Sequence, residues 1–389
     1  MKDIKVTDSV KYIGANDKTI DLFESQYVVP NGISYNSYLI KDEKNVVMDT
    51  IDRRKTDQWI RNLEEELQGE NVDYLVVSHM EPDHAFNIGL LAEKYPRMKI
   101  VGNDKTFTFI NQFFDIENLE ERKVVVKEAD TLNIGKHTLQ FFMAPMVHWP
   151  EVMVTYEQTE KILFSADGFG KFGALDVDED WLCEARRYYF NIVGKYGAPV
   201  QSLLKKAAGL DIKMICPLHG PILKENLGYY IEKYNIWSSY IPEEDGIFIA
   251  YASIYGNTRQ AVEYIAKVLE EKGAKKVVLI DLTRDDMSKA IENAFRYDKI
   301  IFAASSYNAG IFPPMQELLH ALQGKNYQNR KVGIIENGSW APSAGKCMKN
   351  ILEQMKDLKI CEPLVTIKSK INDTSKKELE DLANVILEK

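Results

Sequence analysis

The sequence predicts an α/β protein of two domains, an N-terminal αββα sandwich and a C-terminal five-stranded doubly wound sheet. Its 389 residues exceed what one ordinary hydrophobic core contains, so two domains are expected. The polar stretch SSYIPEEDG at 238–246 contains proline and glycine and separates two differently patterned regions. We therefore place the boundary there and predict domains at residues 1–245 and 246–389.

The N-terminal region has short apolar runs in two groups. YNSYLI, NVVMDT and YLVVS come first, and KVVVKE, HTLQFFMAP, VMVTY and KILFSAD come later. Helical stretches such as residues 56–68 lie between or after these runs. This order favours two sheets packed face to face with helices outside them, rather than a repeated strand–helix–strand unit.

The C-terminal region alternates apolar runs with helical segments in a regular way. The five runs are IFIAYAS, VVLID, KIIFAAS, VGIIE and LVTI. Strands that alternate with helices form parallel sheets that are covered on both faces. The region therefore predicts five parallel strands in a doubly wound sheet.

Charge and composition limit the partners and the compartment. A net charge of −9 argues against a nucleic-acid or anionic-membrane partner and favours a basic docking protein. The N-terminus has no apolar signal core and no apolar run reaches 18 residues, so we expect a cytoplasmic protein without a membrane segment. The four cysteines form no CxxC pair, which indicates reduced side chains and no iron–sulfur module.

Seven side chains of the kinds that bind metals follow predicted strands of the N-terminal domain. Side chains at strand ends can converge on a small volume. Imidazoles and carboxylates that converge suit transition metals, and seven are enough for two ions with one bridging carboxylate. The candidates are His79, Glu81, Asp83 and His84 in VVSHMEPDH, followed by His148, Asp167 and His219.

Any one of these residues could instead have a structural role, which is the usual role of a lone histidine. The chain contains six histidines, and four of them belong to this set. The other two, His137 and His320, fall in a predicted strand and a predicted helix, and we interpret them as structural. The concentration of histidines at strand ends favours a metal site.

The first loop of the C-terminal domain has the composition of a phosphate-binding loop. Hydroxyl groups, backbone N–H groups and one glycine at the start of a helix suit a phosphate dianion. GxGxxG and GxxxxGKS/T motifs are absent from this loop, which disfavours dinucleotides and nucleoside triphosphates. The loop is similar to that of flavodoxins, which implies FMN. Its residues are Ser253, Ile254, Tyr255, Gly256, Asn257 and Thr258.

Two further loops are expected at the same edge of the sheet, after its third and fourth strands. Tyr307 and Trp340 offer flat apolar surfaces for an isoalloxazine ring, and the neighbouring residues offer polar groups close to it. Either aromatic side chain could instead belong to the core. The candidate flavin-binding residues of these loops are Ser305, Tyr307, Asn308, Ala309, Gly310, Asn337, Gly338, Ser339 and Trp340.

The motif from His79 to His84 resembles the binuclear site of the metallo-β-lactamase superfamily, in the variant found in flavodiiron proteins. The hydrolytic zinc members have a histidine where this chain has Glu81, and an added carboxylate favours iron. The resemblance implies two irons with Asp167 as the bridge. It assigns His79, Glu81 and His148 to one iron, and Asp83, His84 and His219 to the other.

The resemblance also implies the activity, a four-electron reduction of dioxygen to water and/or a reduction of nitric oxide to nitrous oxide. It places the phenols of Tyr189 and Tyr27 near the substrate, with Tyr188 as an open alternative. It further implies rubredoxin or a similar small redox protein as electron donor, and a head-to-tail homodimer or a dimer of dimers. A dizinc metallo-β-lactamase-type hydrolase fused to a flavodoxin domain is the alternative.

Overall fold

The computed structural model describes residues 4–388. It divides into two compact units, here called the first and the second unit. The first comprises Met1–Tyr189 and Ala198–Asn235, and the second comprises Phe190–Gly197 and Ile236–Lys389. The boundary predicted between residues 245 and 246 falls inside a strand of the second unit, and the predicted domain limits stay a prediction.

Two sheets form the centre of the first unit. In the six-stranded sheet the order is β1-β6-β7-β8-β9-β10, and in the five-stranded sheet it is β11-β12-β13-β14-β15. Two small sheets pair β2 with β5 and β3 with β4. The strands are β1 (Val10–Tyr12), β2 (Ala15–Asp17), β3 (Leu22–Phe23), β4 (Tyr27–Val28), β5 (Ile33–Tyr35), β6 (Tyr38–Ile40), β7 (Val46–Met48), β8 (Tyr74–Val76), β9 (Lys99–Gly102), β10 (Lys123–Val125), β11 (Thr131–Asn133), β12 (Thr138–Met143), β13 (Met153–Glu157), β14 (Ile162–Phe164) and β15 (Met214–Cys216).

Apolar side chains from both large sheets meet in one buried core. Val76 and Val101 of the six-stranded sheet pack in the same cluster as Phe141, Met153 and Phe164 of the five-stranded sheet. Burial of this apolar surface is the main favourable contribution to folding. The predicted sandwich of two sheets is therefore confirmed.

The helices of this part of the chain include short ones that follow strands. The helix predicted at 56–68 is present, and it ends where Gln68 adopts the left-handed conformation that stops a helix. The helices are α1 (Thr56–Leu67), α2 (Pro82–Ala85), α3 (Ile88–Lys94), α4 (Asp104–Phe113), α5 (Leu119–Arg122), α6 (Trp181–Tyr188), α7 (Gly197–Ala207) and α8 (Leu227–Ser238), with 3-10 turns at Arg53–Lys55 and Gly194–Tyr196 and a π turn at Tyr189–Val193.

The second unit is the predicted doubly wound sheet. Its strands run in the order β17-β16-β18-β20-β21, with parallel pairing between the neighbours in this order. The strands are β16 (Glu244–Ala252), β17 (Val277–Asp281), β18 (Tyr297–Tyr307), β19 (Gly310–Ile311), β20 (Arg330–Asn337), β21 (Leu358–Ile360) and β22 (Val365–Ile367), and the helices are α9 (Asn257–Glu271), α10 (Met287–Arg296), α11 (Pro313–Gly324), α12 (Ala344–Leu352) and α13 (Asp373–Leu387).

The fifth strand position differs in detail from the prediction. It is divided into β21 and β22, and both pair with β20. Pro363 lies between them and has no N–H group to donate to a neighbouring strand, so the ladder is interrupted there. Within residues 4–388, no helix combines the length and the apolar character that crossing a membrane requires.

Candidate diiron centre and flavin loops

The predicted metal ligands lie close together, at or near the ends of strands in the first unit. His79 and Glu81 follow β8, Asp167 follows β14, and His219 follows β15. Asp83 and His84 lie on the short helix α2 rather than in a loop, and His148 lies between β12 and β13. The structure therefore brings together all seven side chains that the sequence singled out.

The first ligand group consists of His79, Glu81 and His148. The Nε2 atoms of the two histidines are 3.4 Å apart. Oε2 of Glu81 lies 3.3 Å from Nε2 of His79 and 3.0 Å from Nε2 of His148. Three potential ligand atoms thus face one another across a volume the size of an ion.

The second ligand group consists of Asp83, His84 and His219. The two Nε2 atoms are 3.1 Å apart. Oδ2 of Asp83 lies 3.3 Å from Nε2 of His84 and 3.2 Å from Nε2 of His219. The second group therefore repeats the geometry of the first.

Asp167 lies between the two groups and turns one oxygen toward each. Its Oδ2 atom is 3.4 Å from Nε2 of His79 and 3.2 Å from Nε2 of His148. Its Oδ1 atom is 3.2 Å from Nε2 of His84 and 3.8 Å from Nε2 of His219. Ligands that lie about 2.1 Å from one ion are about 3.0 to 3.4 Å apart at octahedral or tetrahedral positions. The spacing fits two ions with one carboxylate between them.

Unsatisfied buried oxygens support the fit to metal ions. Both carboxylate oxygens of Asp83 and of Asp167 are buried and accept no hydrogen bond. Burial raises the pKa of Asp83 to about 7. Burial also opposes ionisation of Asp167, but the neighbouring His84, His148 and His79 outweigh it and hold the pKa of Asp167 well below its usual range. A bound cation would favour the ionised form of Asp83 and would give these oxygens the partner that they lack.

Two ligand histidines are oriented by acceptors on the far side of the ring. Nδ1 of His79 donates to Oε1 of Glu151 over 2.8 Å, and Nδ1 of His219 donates to the carbonyl of Ser34 over 2.7 Å. A proton fixed on Nδ1 leaves the lone pair on Nε2, which is the atom that faces the cluster. The sequence reasoning missed Glu151, although it lies three residues after His148.

The remaining two histidines lie outside the cluster. His137 precedes β12 instead of lying inside it, and its Nδ1 atom is 2.6 Å from Oδ2 of Asp42. His320 is exposed on α11. The prediction that neither takes part in the metal cluster agrees with these positions, but the mid-strand placement of His137 was wrong because the chain is still turning there.

Aromatic rings cover the second ligand group. The ring centroids of Phe23 and Tyr188 lie 5.4 and 5.5 Å from that of His219. The ring of Tyr189 instead packs 5.1 Å from that of Tyr234. Tyr27 packs 6.1 Å from Phe172. Tyr188 is thus a phenol in ring contact with a ligand, as is Tyr35, whose ring centroid lies 6.0 Å from that of His219. The role predicted for Tyr189 and Tyr27 stays a prediction.

The phosphate-type loop of the second unit is open beside Gly256, at the start of a helix. Gly256 has a φ of 90° and lies at the start of α9, and a side chain there would meet no atom within 4 Å. Oγ of Ser253 accepts hydrogen bonds from the N–H groups of Gly256 and Arg259. Oγ1 of Thr258 lies 3.0 Å from Oγ of Ser305. Hydroxyl groups and a helix N-terminus therefore lie beside open space, and the assignment of this loop to a phosphate stays a prediction.

The two other predicted loops lie at the same edge of the sheet and are tied together. Oγ of Ser306 accepts from the N–H groups of Ser343 and Ala344, which joins the loop after β18 to the loop after β20. Trp340 and Tyr255 are each 93% exposed, and Tyr307 is 46% exposed. Flat aromatic rings held in solvent beside a phosphate-type loop fit an isoalloxazine, so a core role for Tyr307 or Trp340 is wrong.

Comparison with known proteins agrees with this geometry. Residues 33–220 match the ODP family beta lactamase, and residues 248–381 match the flavodoxin domain family. The anaerobic nitric oxide reductase flavorubredoxin of Escherichia coli is 31% identical over 353 residues, which cover 88% of this chain and 73% of that protein.

Two solved structures extend the comparison to nearly the whole chain. The rubredoxin oxygen:oxidoreductase of Desulfovibrio gigas superposes with a TM-score of 0.89 at 26% identity and covers 98% of this chain and 97% of its own. The flavodiiron protein of Giardia intestinalis shares the fold, with a TM-score of 0.89 at 23% identity over 100% of this chain and 97% of its own. The names of the Escherichia coli and Desulfovibrio gigas proteins are those of oxidoreductases, which argues against the dizinc hydrolase alternative. The chain is therefore a member of the flavodiiron protein family, oxidoreductases that carry a non-haem diiron centre and FMN and reduce dioxygen or nitric oxide.

Proposed function

We propose that the first ligand group binds one iron, that the second binds the other, and that Asp167 bridges them. The observation that carries this assignment is the position of Asp167, whose two oxygens face different ligand groups. His79 and His219 contribute neutral imidazoles because acceptors hold the proton on Nδ1. Domain limits at 1–245 and 246–389 belong to the same proposal.

The proposed reaction is the reduction of dioxygen to water, of nitric oxide to nitrous oxide, or of both. When bound, the diiron centre and FMN together supply up to four electrons, which dioxygen needs to become two waters, whereas two nitric oxides need two. Phe23 and Tyr188 pack on His219 and keep bulk water from that side of the cluster. A small apolar gas suits a site with such walls.

The flavin-binding residues in this proposal are those of the three loops after β16, β18 and β20. Ser253 and Thr258 bind the phosphate, while Tyr307 and Trp340 contact the ring system. The support comes from their shared position at one sheet edge and from the exposure of Trp340. The proposed assembly is a head-to-tail homodimer, or a dimer of such dimers, in which the flavin loops of one subunit would face the ligand groups of the other. Rubredoxin or a similar protein is the proposed donor, and the cytoplasm is the proposed location.

A metal, flavin and gas analysis tests the proposal. Protein purified from iron-replete cells should contain about two irons and one FMN per chain. After anaerobic reduction, it should be reoxidised by dioxygen without release of peroxide, or by nitric oxide with formation of nitrous oxide. Asp167→Asn should lower the iron content and leave the FMN content unchanged. Stoichiometric zinc, or reduced protein that neither gas reoxidises, contradicts the proposal.

A further inference from the structure

One row of paired residues crosses the sheet of the second unit at the base of the three flavin loops. Ala252 of β16 is paired with Ala304 of β18, which is paired with Glu336 of β20. Glu336 is in turn paired with Thr366 of β22. The residue after each of the first three is the first predicted flavin-binding residue of its loop. Neighbouring strands are about 4.8 Å apart, so Glu336 lies about 10 Å from Ala252 across three strands.

Glu336 contributes a charge where the loops have none. The three loops contain no charged side chain. They comprise residues 253–258, 305–312 and 337–345. An arginine and three lysines follow the first loop, the third loop and β22 in the sequence, but all four are exposed to water, which screens their charge; they are Arg259, Lys346, Lys368 and Lys370. Glu336 is only 7% exposed, so its charge is screened least.

Two hydrogen bonds fix the Glu336 carboxylate below the loop that carries Trp340. Its Oε2 atom accepts the N–H of Gly345 over 2.7 Å, and its Oε1 atom accepts the hydroxyl of Thr366 over 2.8 Å. Gly345 lies in the first turn of α12, and the N-terminus of a helix stabilises an anion. In the described part of the chain, no lysine, arginine or histidine pairs with Glu336. The carboxylate is therefore held by neutral donors.

The fold leaves room for this carboxylate at the start of α12. A side chain at Gly345 would place its Cβ atom 2.9 Å from Cδ of Glu336 and 2.7 Å from Cδ2 of Leu364. Both distances are shorter than real contacts of such atoms, so a glycine is required where the carboxylate approaches. The hydrogen bond spans nine residues of the chain, and it closes the base of the Trp340 loop. The position of the charge is thus fixed relative to that loop.

We propose that Glu336 tunes the flavin, because its fixed negative charge lowers the reduction potential of FMN bound by the three loops. The inference rests on the proposed function, since it concerns the FMN that this function requires. Each electron that FMN takes up adds negative charge unless a proton follows it, and a fixed anion nearby makes that addition less favourable. A lower potential makes reduced FMN a stronger electron donor toward the diiron centre.

The strand spacing sets the size of the effect. Two unit charges about 10 Å apart near a protein surface interact strongly enough to change an equilibrium constant by roughly 15-fold. The partial positive charge at the N-terminus of α12 offsets part of this interaction. We therefore expect Glu336 to lower the equilibrium constant for one-electron reduction of FMN by about threefold to tenfold, which corresponds to about 30 to 60 mV.

The test is an anaerobic redox titration of the Glu336→Gln holoenzyme against a reference dye, followed by the flavin absorbance. Glutamine removes the charge and keeps the size of the side chain. Its amide oxygen can still accept the N–H of Gly345, and its amide nitrogen can donate to the hydroxyl of Thr366. The equilibrium constant for reduction of FMN should rise by about threefold to tenfold. An unchanged potential in Glu336→Gln with FMN bound overturns the proposal.

Two control variants separate the charge of Glu336 from its hydrogen bonds and from net charge. Glu353→Gln removes the same charge at the exposed C-terminal end of α12 and should stay within about twofold of the unmodified enzyme. Thr366→Val removes one hydrogen bond and keeps the charge, so it should also stay within about twofold. A shift in either control as large as that in Glu336→Gln overturns the proposal, because net charge or loop shape then explains it.

Binding of FMN in its two redox states covers any variant that loses FMN during purification. The dissociation constants of oxidised and of reduced FMN are measured by titration into the FMN-free full-length chain. By linkage, their ratio reports the same change in equilibrium constant as the redox titration. Unmodified protein that binds no FMN contradicts the proposed function itself. FMN that binds with the same ratio in Glu336→Gln and in unmodified protein contradicts the tuning role alone.

Discussion

Nδ1 of His79 lies 2.8 Å from Oε1 of Glu151, and both side chains are fully buried. The same carboxylate oxygen accepts the N–H of Met80 over 2.8 Å. Glu151 therefore fixes both the backbone and the ring of the segment that begins the first ligand group. A partner of this kind orients a metal ligand and raises its basicity.

Glu151→Gln should weaken iron binding by roughly 10-fold to 100-fold, because an amide holds the imidazole less firmly than a carboxylate. Competition with an iron chelator, followed by metal analysis, measures the change. The FMN content should not change, since Glu151 belongs to the first unit. Glu128→Gln, which alters a partly exposed carboxylate near Lys206, is the matched control. Unchanged iron affinity in Glu151→Gln argues against an orienting role.

Ser253→Ala combined with Thr258→Ala should weaken FMN binding. Each hydrogen bond to a charged phosphate contributes about 1.5 to 3 kcal/mol. Loss of both should therefore lower the affinity for FMN by roughly 100-fold or more. Equilibrium dialysis with fluorescence detection of released flavin gives the affinity. Thr283→Ala removes a hydroxyl from the loop after β17 and should have no such effect. Retention of flavin by the double variant through dialysis disproves the assignment of the phosphate loop.

Asp42→Asn should destabilise the first unit at neutral pH. Burial opposes ionisation of Asp42, but hydrogen bonds from His137 and from nearby backbone N–H groups outweigh it and lower the pKa to about 2. A carboxyl group whose pKa is lowered by folding stabilises the folded state at pH values above its pKa in the unfolded chain, which is near 3.9. This stabilisation is lost as the pH falls toward about 2. Urea unfolding of metal-free protein should give the variant a free energy of unfolding that is roughly 1 to 3 kcal/mol lower than that of the unmodified protein at pH 7. This difference should shrink below about pH 4. A deficit that does not depend on pH means that Asp42 acts through packing.

Mixed subunits should regain activity if electrons pass between chains. One parent carries His79→Ala and Asp83→Ala and lacks the metal site, and the other carries Ser253→Ala and Thr258→Ala and lacks the flavin site. Each parent alone should be inactive. In a head-to-tail dimer of the two, one interface joins an intact flavin site to an intact metal site. Gas consumption by the mixture, compared with each parent, is the measurement. A mixture that contains mixed dimers and remains inactive rules out transfer between subunits.

The sequence by itself determined the two fold classes and the chemistry of both centres. Apolar runs that alternate with helices dictate a parallel sheet, and ligand residues after such runs lie at strand ends whatever the remaining contacts are. His79, Asp167 and His219 could be identified in this way because their chemical type and their local position already restrict what they do. The loop from Ser253 to Thr258 was singled out in the same way, from hydroxyls before and in the first turn of α9, and its role stays a prediction.

Only the tertiary structure decided which side chains touch. Glu151 lies 72 residues from His79, and no local pattern indicates that distant pairing. Tyr188 and Tyr189 are adjacent in sequence, but successive helical residues point about 100° apart, so packing decides that Tyr188 meets His219 and Tyr189 meets Tyr234.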